Sequence, residues 1–94
     1  MSQFTFASRV TAPEDVMVRE LEGESVLLNL ANNQYYGLDA VGTDMWRALT
    51  MAGSVQEAYE ALLTEYDVAP EALRRDLGEL IEKLAAQGLV KVEG

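Results

Sequence analysis

Four carboxylates at helical spacing, Glu57, Glu60, Asp76 and Glu79, are the side chains here suited to acid–base work or to holding Mg²⁺. No DxD cluster, glycine-rich phosphate loop or nucleophile–base pair accompanies them, so they read as solvated helix faces. The chain has no cysteine and no histidine, which removes thiolate nucleophiles, disulfides, thiolate or imidazole metal ligands and the usual general base near neutral pH. Trp46 and the tyrosines offer a stacking platform for bases, but Trp46 falls in an apolar helical stripe and is expected in the core. No enzymatic activity, metal or cofactor is expected.

Ninety-four residues make one domain with a small core. Sixteen acidic against seven basic residues give a net charge of -9, which repels nucleic-acid phosphates and anionic membranes and favours neutral or basic partners. The same excess also serves solubility alone. The opening MSQFTFASRV lacks a continuous apolar segment, and no stretch approaches the ~18 apolar residues of a membrane span. A cytoplasmic location is expected.

The elements that position these side chains follow from periodicity. Residues 1–15 read as an arm, either disordered or adding a short strand through Phe4 and Phe6, ahead of one domain over 16–92. Three β-like runs follow, VMVREL (16–21), SVLLNL (25–30) and QYYGL (34–38). Three-residue loops containing Gly23 and Asn33 would set Val18 opposite Leu28 and Leu28 opposite Tyr36. That register gathers Val16, Val18, Val26, Leu28, Leu30, Tyr36 and Leu38 on one face and turns Tyr35 outward.

After Asp39, which is suited to capping a helix, Val41, Met45, Trp46, Leu49 and Ala52 form an apolar stripe that Gly53 ends. Ser54 to Glu57 is a capping box, followed by Val55, Ala58, Tyr59, Leu62, Leu63 and Tyr66 at helical spacing. Pro70 and Glu71 open a third helix whose Leu73, Leu77, Leu80, Ile81 and Leu84 make a buried face. Gly88 stops it, and LVKV is expected to form a last strand. The order βββααα is a winged helix-turn-helix-like α+β architecture, an antiparallel meander followed by three helices. In such a fold the third helix would read DNA, yet here it carries three cations against four carboxylates. Along one flank of that helix lie Arg74, Gly78, Ile81 and Ala85. Gly78 in mid-helix costs roughly 1 kcal/mol relative to alanine and leaves room for a close approach, whether by a ligand or by packing.

The spaced pattern VLLNL…N-QYYGLD…G-x-x-MW-x-x-L…G-S-V-x-E…L…Y-D-V…RRDL-x-x-L-I-x-x-L…GLV resembles the PqqD-like family, the peptide-recognition elements of pathways that modify ribosomally made peptides. The similarity covers about Val16 to Val90. It implies a stand-alone, non-catalytic adaptor of the kind found in lasso-peptide and PQQ pathways. Such an adaptor binds the leader segment of a precursor peptide and delivers it to a leader protease and cyclase, or to a radical enzyme. In the family the leader adds as a strand to the third strand of the meander, in a cleft against the third helix. Mapped here, the strand comprises Asn33, Gln34, Tyr35, Tyr36, Gly37 and Leu38, and the helix runs from Arg74 to about Ile81.

The residues agree with that mapping, because the last strand of a three-stranded meander is an edge with unpaired backbone groups. Tyr36, Leu38, Leu77 and Ile81 are candidates to line side-chain pockets, Gly78 to leave room, and Arg74 or Arg75 to pair with leader acids. A monomer or weak dimer is expected. The rival readings are a winged-helix DNA-binding regulator and a structural subunit that pairs with itself through the same edge.

Overall fold

Glu22 and Gly23 both adopt left-handed backbone, φ 55° and 85°, which makes them a two-residue turn whose twist suits a hairpin. The computed structural model describes residues 5–93. Its elements are β1 (Arg9–Thr11), β2 (Val16–Leu21), β3 (Glu24–Asn29), β4 (Gln34–Leu38), α1 (Ala40–Met51), α2 (Val55–Glu65), α3 (Pro70–Ala86) and β5 (Lys91–Glu93). Strands β2, β3 and β4 form the expected antiparallel meander, in that order, and the three helices follow it. β1 pairs antiparallel with β5 in a separate two-stranded sheet.

The register differs from the three-residue-loop expectation. Val18 faces Leu27 and Arg19 faces Val26, while Leu27 faces Tyr36 and Ser25 faces Leu38. The first loop therefore has two residues and the second has four, residues 30–33, with Asn33 at φ 60°. Relative to β2 and β4, β3 is shifted by one residue, which exchanges its faces. Ser25, Leu27 and Asn29 point inward and are buried, whereas Val26 and Leu30 are exposed. Polar partners explain the exchange. The Ser25 and Thr43 hydroxyls hydrogen-bond at 2.7 Å, and Asn29 Nδ2 donates to the Gly88 carbonyl at 2.7 Å. The inner face of β3 is thus polar–apolar–polar, with Ser25 satisfied by α1, Asn29 Nδ2 by the turn after α3 and Asn29 Oδ1 by the Ala31 amide at 2.9 Å.

Each helix begins as its sequence indicates. Asp39 accepts from the Gly42 amide at 2.8 Å to cap α1. Ser54 accepts from the Glu57 amide at 3.2 Å to cap α2, and Glu57 reaches back to accept from Gly53 N. Pro70 occupies the first turn of α3 without a side-chain cap. Trp46 is buried in α1, and Leu73, Leu77, Leu80, Ile81 and Leu84 of α3 all enter the core. Gly88, at φ 72°, ends α3, and a Cβ there would press on Asn29 and Asn32.

The arm also differs from expectation. Phe4 lies outside the described residues, and Phe6 sits in a turn instead of a strand. The Phe6 and Ser8 carbonyls accept from Gln56 N and Val55 N, each at 2.8 Å, and so satisfy orphan donors at the start of α2. The Phe6 ring meets Tyr59 edge-on with centroids 5.5 Å apart. Among the described residues, strand pairing begins at Arg9.

Candidate peptide-binding edge and cleft

The turn at Glu22–Gly23 determines which backbone groups of β4 are free. A two-residue hairpin closes on a pair that exchanges both backbone bonds, here Leu21 and Glu24. Alternation from that pair turns the N–H and C=O groups of Glu24, Val26 and Leu28 towards β2, and those of Ser25, Leu27 and Asn29 towards β4. Their β4 partners are Leu38, Tyr36 and Gln34. Tyr35 and Gly37 therefore direct their N–H and C=O groups away from β3, to the open edge. Tyr35 is 70% exposed, as expected for an outward side chain, while Tyr36 is half-buried and Leu38 buried on the inner face.

Beside this edge runs a cleft of about 230 Å³, lined by Tyr36 and Asp39 from the strand end, Val41, Gly42 and Met45 from α1, and Asp76, Glu79, Leu80 and Lys83 from α3. The α3 residues lie three and four apart and so share one face. A smaller cavity, about 120 Å³, adjoins it through Val41, Met45 and Asp76 and reaches Leu62, Tyr66 and Val68. At its margin the Tyr66 hydroxyl donates to Asp44 Oδ2. That bond, helped by desolvation and the Asp44 charge, pushes the Tyr66 phenol up to about 12. The orientation of α3 is fixed at its far end, where Asn29 and Asn32 donate to the carbonyls of Gly88 and Gln87.

The structure brings only some of the sequence-expected side chains to this cleft. Tyr36 lines it, and Leu38 lies buried at the strand end. Leu77 and Ile81 are wholly buried in the core. Arg74 lies about half a turn round α3 from Asp76, with its guanidinium 4.4 Å from the Phe6 ring centre. Arg75 is exposed and pairs with Asp76 at 3.5 Å. Gly78, half-buried, is not among the lining residues. Reading the sequence missed Val41, Met45, Asp76, Glu79, Leu80 and Lys83. The signal available was the second flank of the α3 stripe together with the immediate β4–Asp39–α1 connection, which sets α1 against the end of the strand.

A wider depression of about 730 Å³ lies around the Glu22–Gly23 turn. Its walls come from β2, β3, β4 and Asp39, with four carboxylates among them, and no helix residue faces it. It lacks the opposed wall that would grip an extended chain, which the cleft beside β4 has. β2 is the other edge of the sheet, whereas the cleft that α1 and α3 wall lies beside β4.

The family described as Coenzyme PQQ synthesis protein D (PqqD) matches residues 24–90. The chain belongs to the PqqD family. No curated protein matches it. Among solved structures, TbiB1 in complex with the TbiA(β) leader peptide is 32% identical, with a TM-score of 0.79 over 86% of this chain and 94% of that one. Lasso peptide synthetase B1 complexed with the leader peptide shares the fold at 20% identity, with a TM-score of 0.77 over 88% of this chain and 98% of that one. In this PqqD-family chain the matched segment begins at β3 and runs through α3, so it contains β4 and the helices that wall the cleft. No helix among the described residues is long and apolar enough to cross a membrane.

Proposed function

We propose that this chain is a non-catalytic adaptor that binds the leader segment of a ribosomally made precursor peptide. The leader adds as a strand to the open edge of β4, in the cleft against α3, and is delivered to a leader protease and cyclase, or to a radical enzyme. One observation carries the reading: the free edge at Tyr35 and Gly37 borders a cleft walled by α1 and α3, in a chain 32% identical to a protein solved with a leader peptide bound. Backbone pairing supplies affinity and the cleft supplies selection.

Delivery needs a second surface while the edge is occupied. The outer sheet face provides one, since Met17, Val26 and Tyr35 stand exposed together there. The adaptor works as a cytoplasmic monomer or weak dimer and holds neither metal nor cofactor. DNA reading is disfavoured because α3 commits its apolar stripe to the core and exposes Asp76, Glu79 and Glu82 to solvent.

The test is titration with the leader of the precursor encoded beside the gene, followed by calorimetry and by NMR of the backbone amides. Micromolar or tighter binding, with the largest shifts over residues 34–38, is expected. A leader that binds without moving those amides overturns strand addition, and a leader that produces no heat and no shifts overturns the function.

A further inference from the structure

The polar wall of the cleft is unevenly charged. Asp39, Asp76 and Glu79 line it with Lys83 as their only cation. The other basic side chains nearby are engaged elsewhere: Arg47 pairs with Glu20, and Arg74 stacks over Phe6 on the opposite flank of α3. Arg75 pairs with Asp76 while most of its side chain stays exposed. Asp39 is already an acceptor for the helix cap at Gly42, and Glu79 makes no ion pair among the described residues. A strand laid along β4 would bring its inward side chains against these carboxylates.

We infer that the cleft selects a leader carrying a lysine or arginine, held over Asp76 and Glu79, and that this cation precedes the leader's apolar anchor in sequence. The inference rests on the strand-addition reading above and adds to it the chemistry and order of the side chains recognised. The order follows from geometry. Gln87 and Gly88 are tied to Asn32 and Asn29 just before β4, so Asp76, about 16 Å back along α3, lies towards the Leu38 end of a strand ~17 Å long. The sheet is wholly antiparallel. A strand continuing that pattern enters beside Leu38 and Asp76 and leaves beside Gln34 and Lys83. Its first inward side chain meets the acids and the next meets Tyr36, Met45 and Leu80. Lys83, near the exit, disfavours a second cation there. The open edge and the cleft constitute the site, and the carboxylates determine which strand it accepts.

The probe is a displayed library of random peptides of about 15 residues, longer than the edge at ~3.4 Å per residue, selected on the intact protein. The strongest selected peptide is then measured by fluorescence anisotropy and by amide shifts. Lysine or arginine should be enriched two positions before an apolar residue. The D76N/E79Q variant, altered only at exposed positions and checked for folding by circular dichroism, should bind that peptide roughly twofold to thirtyfold more weakly, the sum expected for two exposed charge pairs. It should also lose most of the salt dependence of binding up to about 0.15 M ionic strength. A peptide with glutamate in place of the cation should recover binding on D76K/E79K. Selected peptides that shift residues 34–38 yet show no enrichment of cations, and bind D76N/E79Q as tightly as the unaltered protein, overturn the charge inference and leave strand addition intact. A selection that returns no binder, or binders that leave residues 34–38 unshifted, overturns both.

Discussion

Replacing two neighbouring tyrosines by proline should separate folding from binding, because their backbone groups point in opposite directions. Tyr36 pairs with Leu27, and alternation from the Glu22–Gly23 turn directs its N–H at the Leu27 carbonyl. Tyr36→Pro removes that bond, worth about 0.5–1.5 kcal/mol. It also leaves an acceptor on a wholly buried residue without a donor, costing about 1–3 kcal/mol more. A loss near 3 kcal/mol is a large part of the roughly 5–14 kcal/mol available to a chain this size. The N–H of Tyr35 faces the open edge, and its side chain is 70% exposed, so Tyr35→Pro should cost the free protein about 1 kcal/mol or less. Bound peptide loses one donor there, about 0.5–1.5 kcal/mol, or roughly twofold to thirteenfold in affinity. Urea unfolding followed by circular dichroism reads the first effect. Tyr36→Pro should lower the midpoint by about 1–3 M for a slope of ~1–3 kcal/mol per M, whereas Tyr35→Pro should shift it little. Titration of folded Tyr35→Pro with peptide reads the second. A Tyr35→Pro protein that unfolds while Tyr36→Pro keeps its midpoint would show that the alternation was assigned backwards.

The register itself is open to a paired truncation. Leu27→Ala, at a wholly buried position, should cost about 3–5 kcal/mol. Val26→Ala, at a position 45% exposed, should cost about 1 kcal/mol or less, and a reversed order in urea midpoints would restore the three-residue-loop register. At alkaline pH the Tyr66–Asp44 bond supplies a further check. The folded phenol is raised from 10.0 to about 12, so its contribution is complete below pH 10 and is lost as pH climbs from 10 through 12. Thermal unfolding across that window should show a falling stability that Tyr66→Phe flattens, and an unchanged slope in the variant would exclude ionisation of the Asp44-bonded phenol as the cause.

The helices and the order of elements were legible because their signals are local: Asp39, Ser54 and Pro70 mark helix starts, and the α3 leucines keep one period throughout. The register of β3 was not. Its inner face carries Ser25 and Asn29, whose places depend on Thr43 and Gly88, distant in sequence, while Val26 and Leu30 imitate a core face and yet stand exposed. Hydrophobic alternation therefore pointed one residue off. The open edge at β4 was legible too, since any three-stranded meander exposes its last strand. The lining of the candidate cleft was hidden, because an amphipathic helix has two flanks and the sequence does not say which one meets the sheet. Arg74 and Gly78 occupy one flank, and the tie between Asn32 and Gln87 helps turn the other, with Asp76 and Leu80, to β4.

The open edge explains why that choice of flank matters. Tyr35 and Gly37 together offer two donors and two acceptors, a net gain of about 2–6 kcal/mol at ~0.5–1.5 kcal/mol per bond. Bringing two chains together costs about 4–15 kcal/mol before any affinity is seen. Over most of that range backbone pairing alone falls short, so an edge this short needs further contacts to hold an extended segment. The deficit has to be met by side chains, each apolar anchor contributing about 1.5–3 kcal/mol when fully buried. Beside β4 the Tyr36–Met45–Leu80 cleft and the adjoining cavity at Val41 and Leu62 offer such burial. On the proposed reading, a partner is held only when its backbone lies on the edge and its side chains enter the cleft together. Such a requirement would make a sequence-tolerant edge selective, with α1 and α3 setting the terms.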